Sequence, residues 1–498
     1  MASSKYRYAP LLTTERSIRL AILSPGAFDD KVEFKLIQTA LDNAPPYEAL
    51  SYAWGEAEFS ESGQVDESTL SLSPTLETAL HYLRLKTEER VMWIDAICIN
   101  QQDTPERSAQ VSFMSEIYAH ARRVVVWIGP MQGQSERAIQ FLRKMGRTKA
   151  SIERSQARHS RQAASTSGLN SEDDVEIVEQ ERKGLKALEQ WEASELRNRA
   201  ESGEDLEFAN IMASWCLGEA TSTLSGEGLA TEVKETIEVS EVPLAFETPK
   251  TRDREEHNNN EGSEESEDSD LEFWGHNYRT MGKYSHVVTG APRGWSDNDL
   301  SSFTNDNRKQ DWEALDELLC RPWFSRTWVV QEVWRATDAI LQCGPITLRW
   351  KTFERAMSYS EAWDDMGITF QGTMREEKWL EVKRRYSLAI HISNKRLLGG
   401  KLSDLLWNTW DRETSDPRDK VFAIIGLVGD GQESGVDVDY SKGMQHVFNE
   451  AAATIIKREK SLDLLLAGCG LARNDGLPSW VPDVRRSRPA FPPLTLHR

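Results

Sequence analysis

The first 144 residues alternate between two hydrophobic periods. In "YEALSYAWGE" (Tyr47 to Glu56), Leu50, Tyr52 and Trp54 share one parity while Ala49, Ser51 and Ala53 share the other. Both faces are apolar or small, which predicts a strand covered on both sides. "TLSLS" (Thr69 to Ser73) predicts a short strand. "SPTLETALHYLRL" predicts a helix with Ser73 at the N-cap, Pro74 in its first position and Leu76, Leu80 and Leu83 on one face. Arg90 to Ile99 ("RVMWIDAICI") is a near-continuous apolar strand interrupted by one acid, Asp95. "DTPERSAQVSFMSEIYAHARR" then predicts one helix, capped by Asp103 or Thr104, burying Val111, Met114, Tyr118 and Ala121. "VVVWIGP" (Val124 to Pro130) is the next buried strand. This alternation predicts an α/β layer built on a mostly parallel sheet.

From about Gly146 to Arg308 the pattern breaks into Ser-, Glu-, Asn- and Gly-rich sequence such as "REEHNNNEGSEESEDSDLEF". Such a stretch buries too little apolar area to offset chain entropy, so most of it is expected to be disordered. It reads as a solvated insertion or as a regulatory, partner-binding one. Periodicity returns at "DWEALDELLCRPWF", a helix through Trp312, Leu315 and Leu319 stopped by Pro322. A second helix follows with Ser325 as its candidate N-cap, which puts Glu332 about two turns in. "AILQCG" and "ITLRW" read as strands. Beyond Lys351 the pattern is mainly helical, and in "DPRDKVFAIIGLVG" Asp416, Pro417 and Asp419 form a helix-start signature. The organisation expected is therefore 1–144 and 309–350 as two parts of one domain, 145–308 as an acidic insert, and 351–498 as a helical C-terminal region.

Charge and cysteine usage narrow the function. The net charge is −20, and about sixteen of those charges fall between Met145 and Leu300. No basic stripe is left to bind nucleic acid. The five cysteines, Cys98, Cys216, Cys320, Cys343 and Cys469, form no C-x-x-C pair, so neither a disulfide framework nor a metal site is signalled. No apolar run is long enough for a membrane span, and the first residues lack the apolar core of a secretory signal. A reducing, cytoplasmic location is the expectation. P-loop, G-x-G-x-x-G and H-E-x-x-H motifs are absent.

Four blocks, "YEALSYAWG", "WIDAICINQQDTPERSAQVSFMSEIYAHARRVVVWIG", "RPWFSRTWVVQEV" and "DPRDKVFAIIGL", resemble the successive blocks of the fungal heterokaryon-incompatibility (HET) domain family. "LPSWVPD" is similar to a segment that commonly follows the domain. The resemblance implies a role in fungal non-self recognition or a related programmed-death response. Two features depart from it: the length of the acidic insert, and a chain that stops soon after "LPSWVPD" in a basic, Pro-rich tail, as a shortened C-terminal region would.

The order of elements is also similar to a TIR domain, and "S-x-x-W-x-x-x-E" falls on Ser325, Trp328 and Glu332. In TIR domains that cleave NAD, a Glu on the corresponding helix is essential. That resemblance implies an NAD nucleosidase with Glu332 as the catalytic carboxylate and NAD as substrate, with no bound cofactor. Nicotinamide is a positively charged leaving group, so its release needs little acid assistance, but the oxocarbenium-like ribose needs stabilisation that a carboxylate can supply. Asp95, at a strand end, would line the ligand crevice, or else bond the amides of its own loop. Trp54 and Trp328 would hold rings, with Ser51 lining the pocket and Gly55 allowing close approach. The structural alternatives are Trp54 as a core plug and Glu332 paired with Arg326 or Arg335. A second class of function stays open: a non-enzymatic module that signals by self-association or by binding another incompatibility or receptor protein.

Overall fold

Strand β4 (Glu48–Tyr52) has all five residues buried, as its double-sided apolar pattern requires. In the computed structural model, which describes residues 4–11, 16–55, 60–167, 302–303, 306–358, 376–394, 400–429, 435–460 and 476–486, β4 lies inside a sheet of ten strands. The others are β1 (Ser4–Lys5), β2 (Ser17–Leu23), β3 (Glu33–Ala40), β5 (Glu61–Val65), β6 (Ser68–Leu72), β7 (Arg90–Trp93), β8 (Arg123–Trp127), β9 (Ala339–Cys343) and β10 (Ile346–Arg349). Their order is β1-β6-β5-β3-β2-β7-β4-β8-β9-β10. Five of the nine pairings are parallel. The centre, β7-β4-β8-β9, is wholly parallel, and β4 pairs with both β7 and β8. The fold is α/β, as expected.

The first helix, α1 (Pro74–Leu83), starts where its signals put it, with the Ser73 hydroxyl accepting from the Leu76 amide at 3.3 Å. The apolar run from Arg90 to Ile99 is not one strand. It splits at Ile94 into β7 and a single helical turn, α2 (Asp95–Cys98). Continuous hydrophobicity cannot distinguish a buried strand from a buried turn, and here the turn faces the core with Ile97 and Cys98. The expected single helix after Asp103 is also divided, into α3 (Thr104–Ser112) and α4 (Met114–His120), with Phe113 non-helical between them. The Asp103 cap is present, accepting from the Glu106 amide at 3.0 Å.

Helix α5 (Ser135–Ser167) runs on through sequence whose composition reads as insert. Residues 168–301, where most of the expected disorder falls, lie outside the described residues, as do Glu56, Cys216, Cys469 and the tail from 487. The chain returns as α6 (Lys309–Leu319), a 3-10 turn at Pro322–Ser325 and α7 (Trp328–Trp334). Ser325 caps no helix. It ends the 3-10 turn and its hydroxyl donates to the Pro322 carbonyl at 3.0 Å and to Glu413 at 2.8 Å. Glu332 therefore sits in the second turn of a short helix.

Five further helices follow: α8 (Trp350–Met357), α9 (Glu376–Ser393), α10 (Leu402–Thr409), α11 (Asp419–Ile425) and α12 (Met444–Thr454). In the DPRDK sequence the helix begins at Asp419, later than the signature predicts, because Asp416 closes a turn by accepting from the Arg418 amide at 3.0 Å. One hydrophobic core joins residues from both sides of the undescribed stretch, Val125 and Trp127 with Leu341 and Phe353. No helix among the described residues is long and apolar enough to cross a membrane.

Candidate functional site

Parallel strands end together, and the C-terminal ends of β7 and β4 bring Asp95 and Trp54 side by side. The Trp54 indole Nε1 donates to Asp95 Oδ2 at 2.9 Å, and Asp95 Oδ1 accepts from the Ala96 amide at 2.7 Å. Both residues are half-buried. Gly55 turns the chain away from β4 with φ of +77°, and a Cβ there would stand 2.6 Å from Thr75 Oγ1. Only glycine fits this exit, which presses β4 against the start of α1.

One step back along β4, the Ser51 hydroxyl donates to Glu332 Oε2 and accepts from the Trp323 indole at 2.8 Å. Glu332 is only 3% exposed. Neither Arg326 nor Arg335 pairs with it. The Arg326 guanidinium donates to the Tyr52 carbonyl, and Arg335 donates to the Gly426 carbonyl at 3.0 Å. Burial pushes the Glu332 carboxyl up to about 7, against the pull of Arg326 and the Ser51 bond and with a further push from Asp95. Burial also raises Asp95, with Arg326 the main opposing influence. Two acids thus share one cation at the end of the parallel strands. The Tyr52 hydroxyl, within the field of all three charges, is buried without a hydrogen-bond partner.

Of the residues singled out from the sequence, Ser51, Trp54, Asp95 and Glu332 come together and Gly55 shapes the turn beside them. Trp328 lies elsewhere, near the Asp419 carboxylate of α11, whose charged form it favours. Periodicity gave no reason to include Trp323 or Tyr52, and it offered Arg326 only as an ion-pair partner. These residues matter through contacts made 272 and 274 positions away, Trp323 to Ser51 and Arg326 to Tyr52, and no local signal encodes such distances.

The loop after Asp95 is fastened from below. Arg19, 1% exposed, grips Glu106 with two bonds of 2.6 and 2.9 Å and also donates to the Cys98 and Ala9 carbonyls at 3.0 and 2.7 Å. Glu106 in turn accepts from the Asn100 amide at 2.6 Å, and Gln101 donates to the Asp95 carbonyl at 3.0 Å. Glu106 is therefore a structural anion. Cys98 lies buried beside this pair with its thiol pushed up to about 12 by burial, which leaves no thiolate for nucleophilic work at neutral pH. Among the described residues no group of three or more His, Cys, Asp or Glu is arranged to hold a metal ion.

Comparison with known proteins bears on the first half of this site. Residues 47–200 match the family model described as heterokaryon incompatibility protein (HET). That range contains Ser51, Trp54, Gly55 and Asp95 but ends before Glu332. The chain is similar to heterokaryon incompatibility protein 6, OR allele, of Neurospora crassa, with 38% identity over 143 residues. The similarity covers 26% of this chain and 21% of that protein, so the chain spans about a fifth of its relative's length. No solved structure matches the chain. Residues 47–200 are therefore similar to the heterokaryon incompatibility family.

Proposed function

We propose that this protein acts in fungal non-self recognition, in the cytoplasm, and that it hydrolyses NAD at the bond between nicotinamide and ribose. The family match and the name of the Neurospora crassa relative support the first part. The observation that carries the second is the buried carboxylate of Glu332, bonded to Ser51 on β4 and set beside Asp95 and Arg326. In the reaction the glycosidic C–N bond breaks and nicotinamide leaves with the bonding pair. Water adds to the ribose carbon, and one proton is released with ADP-ribose. An ionised Glu332 stabilises the positive ribose in the transition state, where a low-dielectric setting strengthens the interaction. Asp95 is suited to hold ribose hydroxyls, and Trp54, tied to Asp95 by its indole nitrogen, to offer a ring face.

Incubating concentrated purified protein with NAD and measuring nicotinamide tests this reading. Release by the wild type and its loss in Glu332→Gln at unchanged protein level is the expected result. A folded Glu332→Gln protein that still releases nicotinamide would remove Glu332 from catalysis.

A second reading has its own support. Glu332 is closed over by Ser51 and Trp323, so a substrate reaches it only after those groups move. A non-enzymatic module that self-associates or binds another incompatibility or receptor protein needs no such opening. Absence of nicotinamide release from the wild type, with concentration-dependent assembly in sedimentation, would favour it.

A further inference from the structure

Helix α7, which carries Glu332, is seven residues long and has no side-chain cap at its start. Fewer than two turns cannot hold a helix in place by local bonds alone. Its direction must be set by what it touches. Trp328, Gln331 and Arg335 stand at positions i, i+3 and i+7 and therefore share one face. All three engage α11. Trp328 lies near enough to the Asp419 carboxylate to favour its charged form. Gln331, oriented so that both ends of its amide are satisfied, donates to the Ala423 carbonyl at 3.2 Å and accepts from the Ser115 amide at 3.0 Å. Arg335 Nε donates to the Gly426 carbonyl at 3.0 Å. Asp419, Ala423 and Gly426 are themselves spaced i, i+4 and i+7. The two helices thus run side by side along a polar seam, and Glu332 turns away from the seam toward β4.

The approach is close. A Cβ on Gly426 would meet the Gln331 amide nitrogen, in this orientation, and Ser115 Cβ, each at 2.8 Å. Helix α11 is in turn fixed to α3. The Tyr440 hydroxyl donates to Asp419 Oδ1 at 2.6 Å, and the Tyr440 amide donates to Ser108 Oγ at 3.0 Å. The Tyr440 ring has the Arg107 guanidinium 4.0 Å and the Arg418 guanidinium 5.1 Å from its centroid. All of α11 lies outside the family-matched residues 47–200.

We propose that α11 is the mount that aims Glu332 into the site, with Gln331, Arg335 and Asp419 as positioning residues acting through the seam. The functional meaning of this mount rests on the reading of Glu332 as the working acid, but its physical content does not. If the seam holds Glu332 in its dry position, breaking the seam lets the carboxylate reach water.

The experiment is a double-mutant cycle on the full chain, read by urea unfolding at pH 8. Glu332→Gln, which removes a buried charge, is expected to raise the folding equilibrium constant by about tenfold or more. In an Arg335→Gln background that gain should shrink at least threefold, because the acid has already escaped. Arg335→Lys, which keeps a donor, should restore part of it. Where Arg335→Gln does not fold, Gly426→Ala separates the same two helices and takes its place. An equal gain in both backgrounds, or no gain in either, overturns the mount. Nicotinamide release is scored separately: coupling without release in the wild type sinks the catalytic reading and leaves the mount standing.

Discussion

A buried acid with a raised pKa leaves a signature in stability. Glu332 has an ordinary value of 4.5 and a folded value of about 7. Between those values the folded chain binds more protons than the unfolded one, so stability must fall as pH rises. The shift corresponds to a loss on the order of 3 kcal/mol across that window for this residue. Asp95 and Asp419, also raised by burial, act in the same direction. Urea unfolding of the wild type and Glu332→Gln from pH 5 to pH 8 should show a markedly flatter profile for the variant. Parallel profiles would mean that Glu332 reaches water in the native state. Asp95 gives a different expectation. Both its oxygens accept from N–H donors, and an Asn can satisfy only one of them. Asp95→Asn should therefore lower stability by ~1–2 kcal/mol, the usual cost of an unmade buried bond, and under the proposed reaction it should also abolish nicotinamide release. A thermal melt unchanged from wild type would contradict the bonding described.

At the scale of elements, the segment from α2 to the start of α3 is held by ion pairing more than by its own helical content. Arg19 on β2 and Glu106 on α3 are both shielded from solvent, with side chains 1% and 10% exposed. Removing one partner strands the other charge, a loss of ~3–5 kcal/mol for a buried pair. Arg19→Met should destabilise the protein by that order and loosen amides from Asn100 to Glu106 in hydrogen exchange. Protection unchanged in that loop would show that Arg19 supports the core alone. The sequence exposed the Asp103 cap, since it is local. It gave no hint that Arg19 would be the partner, because β2 and α3 meet only after the sheet has formed.

Across the whole molecule, the parallel register of β8 with β9 is the decisive joint. Val124 to Trp127 lie opposite Ala339 to Gln342, so chain before and after residues 168–301 contributes neighbouring strands to one sheet. Two co-expressed pieces, 1–167 and 302–498, should therefore associate and copurify through salt washes. Recovery of the pieces as separate folded species would refute a shared sheet.

The sequence by itself determined the buried strand β4, the capped start of α1 and the α/β alternation. Those features rest on period, turn chemistry and charge within a dozen residues. Only the tertiary structure decided that Arg90 to Ile99 is a strand and a turn, that α7 starts at Trp328, and that Trp328 faces Asp419 while Glu332 faces Ser51. A short helix carries too few local bonds to choose its own orientation. Its face is settled by which distant groups can satisfy Gln331 and Arg335, and those groups come within reach only when the sheet and α11 are already packed.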